Sequence, residues 1–342
     1  MGLFNHCIEC GAVKQWVAAL LLVGVAVGCG DQAATSDDGG SEESAAAPDD
    51  GGQPTLVMIP KATQATFWNQ VRSGAEKAAV EADVKLLWKG PARDNDRAAQ
   101  KQVVQQFIGE GVDGILLAPT DSKALAPEAS TAMSKGIPVL IFDSAIEGEQ
   151  GKDFVSFVAT DNLAAGKMGG KKLMELIGEG GKAVLFRHME GHESTTKRET
   201  GALEEFKAAK ANVLMENRYS GETSSEAQNA ALNMIDVLRE AQGIFASNQT
   251  ASEGLLLALR QRNLAGKVKF VGFDSSPLLV DGLRKGEIDA LVLQNPVKMG
   301  YTSVKMMAEH LRKQPIEPLV DTGAALATKE NMDSEEISQL LK

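Results

Sequence analysis

The chain has 342 residues, of which 43% are apolar, 24% charged and 5% aromatic, long enough for two domains with real cores and too apolar to be wholly disordered. No apolar run reaches the roughly 18 residues of a membrane-spanning helix, which excludes a polytopic membrane protein. The net charge of −11 argues against nucleic acid as a partner, because neutralising phosphates needs clustered Lys and Arg.

At the N-terminus, Lys14 precedes an apolar stretch over 16–27 that runs into Gly28 and Cys29. A basic flank, a short apolar core and small residues at its end predict a secretory signal peptide over 1–29 rather than a spanning helix. Ala26-Val27-Gly28-Cys29 resembles the lipobox of bacterial lipoproteins, which implies lipidation of Cys29 and a membrane-anchored protein at the periplasmic or cell-surface side. Cys7 and Cys10 lie upstream of the apolar core and would be removed with it, so this pair predicts no metal or redox site. Seven acidic residues and no basic one stand between Asp31 and Gln53, leaving about −4 for the rest of the chain. That Ser/Ala/Gly/Asp tract, 30–53, reads as a disordered tether.

From Thr55 onward, short apolar runs alternate with amphipathic stretches of helical period. The runs fall at 56–59, 84–88, 114–118, 139–142, 155–159, 183–186, 213–215, 243–246, 268–273 and 290–293. Helices are predicted between them, among others over 68–81, 97–109, 163–177, 195–209, 222–239 and 296–312. Strand–helix alternation of this kind predicts an α/β fold of parallel sheets covered on both faces, and ten or more strands predict two doubly wound lobes. An internal repeat supports two similar lobes. Val112-Asp113-Gly114-Ile115 leads through helix and strand to Phe142-Asp143-Ser144, and Ala241-Gln242-Gly243-Ile244 leads likewise to Phe273-Asp274-Ser275.

Several runs stop at side chains able to hydrogen bond: Asp143, Thr160-Asp161, Ser247-Asn248, Asp274 and Gln294-Asn295. Each alone reads equally as a helix N-cap. Five such ends drawn from both lobes point to a polar cleft at the carboxyl ends of the strands, where open parallel sheets bind ligands. Asp, Asn and Gln there suit a ligand rich in hydroxyls. After the first run comes a loop ending in Phe67-Trp68. In a chain so poor in aromatics, this pair either lines a sugar site or staples the helix to the sheet.

These stretches, in this order, resemble the periplasmic sugar-binding proteins of the ribose-binding type, the solute receptors of ABC importers. The carriers are Ile59-Pro60-Lys61 with Phe67-Trp68, Val112 to Pro119, Ile137 to Asp143, Thr160-Asp161-Asn162, Arg198-Glu199-Thr200-Gly201, Ile244 to Asn248, Val271 to Asp274 and Leu293 to Pro296. The resemblance implies stacking by Phe67 and Trp68 and a polar clamp of Asp143, Arg198, Asn248, Asp274 and Gln294. Lys61 and Ser144 are expected in the same ligand site: Ser144 stands where ribose receptors carry Arg, Lys61 is similar to the branch that binds autoinducer-2, and Ala65 stands where ribose receptors carry Asn. The implied ligand is a pentose such as ribose, or a related small sugar or polyol.

The resemblance also implies a three-crossing hinge, with an N-terminal lobe of 54–161 plus 295–322 and a C-terminal lobe of 162–294 plus 323–342. It implies a monomer that delivers its sugar to a membrane permease and the permease's ATPase subunit. A chemotaxis or autoinducer-2-like sensor is the alternative.

No enzyme chemistry, cofactor or metal is expected. The chain has no phosphate-binding loop, and Gly109-x-Gly111-x-x-Gly114 leads from helix into strand, the reverse of a dinucleotide fingerprint. Asp143 and Asp274 are not read as a glycosidase pair, because Arg198 in the same cleft is expected to keep both ionised. His188 and His192, near Glu190 and Glu193, read as solvated loop residues rather than zinc ligands.

Overall fold

The computed structural model describes residues 52–342. The predicted signal peptide, Cys29 and nearly all of the acidic tract lie outside the described residues. Among those described, no helix is long and apolar enough to cross a membrane.

The first half alternates strand and helix: β1 (Thr55–Ile59), α1 (Thr66–Ala82), β2 (Lys85–Trp88), α2 (Arg97–Glu110), β3 (Gly114–Leu117), α3 (Ala126–Ser134), β4 (Val139–Phe142) and β5 (Ser156–Ala159). The pattern continues with α4 (Asn162–Ile177), β6 (Lys182–Arg187), α5 (Glu193–Ala208), β7 (Asn212–Tyr219), α6 (Ser224–Asn233), α7 (Ile235–Glu240), β8 (Gly243–Ala246), α8 (Gln249–Gln261), β9 (Lys269–Phe273), α9 (Pro277–Lys285) and β10 (Ala290–Gln294). Last come α10 (Pro296–Leu311), β11 (Leu319–Asp321), β12 (Ala324–Ala327) and α11 (Glu335–Leu340).

Two six-stranded sheets result, ordered β11-β5-β4-β3-β1-β2 and β12-β10-β9-β8-β6-β7. Every pairing is parallel except β12 with β10. The expected two doubly wound lobes are therefore present. The chain passes between them three times, from β5 to α4, from β10 to α10 and from β11 to β12.

Period-two alternation explains why the strands are apolar throughout. Leu56 and Met58 of β1 pack into one cluster, while Val57 and Ile59 pack into the cluster on the other face. In the second lobe Leu291 and Leu293 divide from Ala290 and Val292 in the same way. A parallel sheet covered on both faces has no side left for polar residues. In both lobes the strand order reverses beside the first strand, which opens a crevice at the carboxyl ends.

One predicted element is corrected. The single helix expected over 222–239 is two, α6 and α7, parted at Met234 (φ −114°, ψ 20°). The Met234 amide bonds to the Ala231 carbonyl, three residues back, so the last turn tightens and the axis breaks while Met234 and Leu238 stay in the core. Periodicity cannot register a break that leaves the buried face continuous.

Close helix packing sets the second lobe's contribution to the cleft. A methyl group at Gly166 of α4 would overlap the Arg198 carbonyl oxygen of α5, and one at Gly201 the Leu163 carbonyl oxygen. Gly166→Ala is thus expected to push α5 outward and to lower unfolding stability by about 1–3 kcal/mol, the usual cost of overpacking. Urea denaturation measures this, and an unchanged midpoint would show that the two helices slide freely.

Candidate binding site

The repeat seen in the sequence becomes a pair of equivalent corners. Asp143 follows β4 and Asp274 follows β9, and both adopt the left-handed conformation, at φ 64° and 67°. Each amide donates to the strand one place further along its sheet, Asp143 to the Val158 carbonyl at 3.0 Å and Asp274 to the Val292 carbonyl at 2.8 Å. At Asp143 the Ser144 amide also reaches the Phe142 carbonyl at 2.7 Å, closing a three-residue turn. Non-glycine residues held in this conformation are uncommon and gather at functional sites.

The structure also separates the two readings of the strand ends. Asp161, Asn248 and Asn295 accept from backbone amides and cap α4, α8 and α10. Neither Asp143 nor Asp274 caps the helix that follows it; Ser276 caps α9, while Asp274 accepts from the amide of Gln249, the first residue of α8. Their carboxylates line the space between the lobes, which in this closed form leaves a cavity of only about 60 Å³.

Lys61, Phe67, Trp68 and Asp143 line this cleft from the first lobe, and Arg198, Asn248, Asp274 and Gln294 line it from the second. Lys61 Nζ lies 2.8 Å from Asp143 Oδ2 and donates to Ser194 Oγ at 3.1 Å across the cleft. Phe67 and Trp68 meet edge to face at 4.9 Å; they belong to the core of the first lobe as well as to the cleft wall. Ser144 is not on the wall. Its hydroxyl is buried and accepts from the Ser194 amide at 3.1 Å, one of the contacts joining the lobes.

Arg198 is buried and held on three sides. Its Nε donates to Asn162 Oδ1 at 2.7 Å, its Nη1 donates to the Ser247 carbonyl at 3.2 Å, and its guanidinium lies 4.1 Å from the centre of the Phe273 ring. Burial draws its pKa down, against the pull of Asp274 and Asp143. Asp274 Oδ2, 4.0 Å from Arg198 Nη1, accepts from the Gln249 amide at 3.0 Å, and Oδ1 accepts from Gln294 Nε2 at 2.7 Å. Burial pushes the Asp274 carboxyl up, and the opposing Arg198 cation does not offset it. Desolvation is the largest influence on this acid, with Arg198, Gln294 and the Gln249 amide acting against it.

The lobes are closed on each other. Besides the Ser194 contacts, the Phe67 amide donates to Gln249 Oε1 at 3.2 Å and the Ala145 amide to Glu193 Oε2 at 3.2 Å.

Sequence reasoning missed several wall residues. Gln249 directly follows a residue picked out at a strand end, so its position was within reach. Asp94 sits in the run Arg93-Asp94-Asn95-Asp96-Arg97 after β2, which reads as a solvated turn. His188 and His192 were expected in solvent. Both are buried, each 1% exposed, and line the cleft. Buried Glu199 fixes their loop, accepting from the His188 amide at 2.9 Å and from Ser247 Oγ at 2.9 Å. Burial holds the His192 pKa down at about 3, against the attraction of Asp94, so its imidazole is neutral. Burial works to raise the Asp94 carboxyl, but the His188 side chain at 3.6 Å and the Lys61 ammonium hold it below the usual range.

A family model described as a periplasmic binding protein domain matches residues 56–315. The chain belongs to this family. Among its relatives, the D-allose-binding periplasmic protein of Escherichia coli is 27% identical over 267 residues, covering 77% of this chain and 86% of that one. A ribose import binding protein of Haemophilus influenzae is 27% identical over 265 residues, covering 78% and 88%. Of solved structures, an ABC transporter solute-binding protein of Agrobacterium vitis with bound D-fucose superposes with a TM-score of 0.81 at 31% identity, covering 84% of this chain and all of that one. A carbohydrate transporter solute-binding protein of Agrobacterium radiobacter in complex with D-arabinose gives 0.81 at 30% identity, covering 85% and 99%.

Proposed function

We propose that this protein is an extracytoplasmic receptor that closes on a monosaccharide or small polyol and delivers it to an ABC importer. The observation that carries the reading is the pair of left-handed Asp corners. One from each lobe, they bring Asp143 and Asp274 to a single cleft beside Arg198 and the Phe67–Trp68 pair. Carboxylates, amides and a guanidinium can each serve a sugar hydroxyl, while an aromatic face takes up the C–H face of the ring. Relatives that bind allose and ribose, and structures holding fucose and arabinose, support a sugar over other solutes. Release of the sugar intact, rather than turnover, is part of the proposal, as are a monomeric state and attachment to the membrane through Cys29 alone.

A thermal-shift screen of pentoses, hexoses, deoxyhexoses and polyols tests this. A sugar at a hundred times its Kd stabilises the folded state by about 2.7 kcal/mol, a rise of roughly 4 °C in Tm for a chain of this size. A panel in which no sugar or polyol moves the transition would refute the reading.

A further inference from the structure

Beside the carboxylate corners, the cleft brings together three side chains whose chemistry the sugar reading leaves unused. Asp94 comes from the loop after β2 in the first lobe, and His188 and His192 from the loop between β6 and α5 in the second. One oxygen or nitrogen atom from each lies within 4.8 Å of the others, with His188 Nε2 3.6 Å from Asp94 Oδ2. The imidazole rings meet edge to face at 90°, with centres 5.0 Å apart.

Neither ring nitrogen of His188 has a hydrogen-bond partner, and His192 Nε2 and Asp94 Oδ1 also have none. Buried polar atoms almost always find a partner, so four in one place call for an explanation. Local charge leaves room for a cation. Lys61 is matched by Asp143 at 2.8 Å and Arg97 by Asp121 at 3.2 Å, which leaves the Asp94 carboxylate in excess.

We propose that Asp94, His188 and His192 form a site for a divalent transition-metal ion of the zinc class. Two imidazoles and a carboxylate are the donor set such ions take, with a fourth position open to water or to a ligand oxygen facing the cleft. Tetrahedral bonds of 2.0–2.1 Å set donor atoms about 3.4 Å apart, so an ion would draw the three side chains together from their present spread of up to 4.8 Å. Because the donors come from opposite lobes, all three meet only when the cleft is shut. The ion therefore acts as a latch that favours the closed form by binding it more tightly than the open one.

Cobalt(II) and zinc(II) titrations of the chelator-treated full chain, without sugar, test the site. One cobalt ion is expected to give the visible absorption of a tetrahedral centre without a thiolate charge-transfer band, which separates this site from the leader cysteines. Zinc is expected to displace it and to raise Tm. Asp94→Asn, a change at a half-buried position that leaves the core intact, is expected to weaken binding at least tenfold. His188→Ala/His192→Ala is expected to abolish it, with circular dichroism confirming the fold. A wild-type chain that binds no ion at this site, or variants that bind as the wild type does, would overturn the proposal. Loss of sugar binding in these variants with no metal uptake by the wild type would overturn it too, and would assign the histidines to the sugar. Because no sugar is present, the result stands apart from the outcome of the sugar screen.

Discussion

Asp274→Ala is expected to weaken sugar binding by at least a hundredfold in calorimetric titration. Each Asp274 oxygen already accepts one protein hydrogen bond, from Gln249 and from Gln294, and each keeps a second lone pair for the ligand. Hydrogen bonds to a charged group contribute about 1.5–3 kcal/mol each, so losing two costs about 3–6 kcal/mol of binding. A pentose has on the order of ten heavy atoms, and a micromolar Kd corresponds to about −8 kcal/mol, so this one residue would account for a large share of the total. Alanine is also poorly suited to a φ of 67°, and it leaves the Gln249 amide without its acceptor. Asp274→Asn separates the two effects, because asparagine tolerates the conformation and keeps the side-chain shape. It should fold normally and still bind at least tenfold more weakly. Unchanged affinity in both variants would mean the sugar does not touch this corner.

Arg198→Ala is expected to abolish binding and also to destabilise the free protein. The side chain is almost wholly buried and joins Asn162 of α4, the Ser247 carbonyl after β8 and the Phe273 ring of β9. Removing one member of a buried charged group costs about 3–5 kcal/mol, since the remaining charge is left uncompensated. The pH dependence identifies that charge. The Asp274 pKa is already raised by burial, with Arg198 as the main opposing influence, and without Arg198 it rises further. An acid whose folded-state pKa lies above its unfolded value is most stabilising when protonated. That stability is lost as pH climbs from the unfolded carboxylate range through the raised folded value. The gap in stability between variant and wild type should therefore widen as pH rises through this window and narrow in acid. A gap independent of pH would mean that Asp274 does not feel the guanidinium. Lysine should not restore binding, since an ammonium cannot make the same forked contacts or stack on Phe273.

The resemblance and the repeat between 112–144 and 241–275 located the two Asp corners, and the strand-end reading placed them at one crevice. What they did not reveal was conformation. Asp143 and Asp274 read as N-caps as readily as ligand residues, and only their positive φ and their hydrogen bonds to the next strand set them apart from Asp161, Asn248 and Asn295. Ser144 shows the converse. Its place in the family pattern put it among the ligand residues, and what the pattern did not reveal is that its hydroxyl accepts from the Ser194 amide of the other lobe.

The alternation of apolar runs and amphipathic stretches determined that this chain makes parallel sheets covered by helices, because each strand's burial on both faces is written in its own residues. The length and repetition of the pattern determined that there are two such lobes. Only the tertiary structure decided which polar side chains lose their water. His188 and His192 carry no local mark of burial; they are buried in a cleft whose opposite wall carries Asp94, about a hundred residues away in sequence. Desolvation depends on everything that closes around a group. The strength of the Asp274 acid and the neutrality of His192 were therefore settled where the lobes meet.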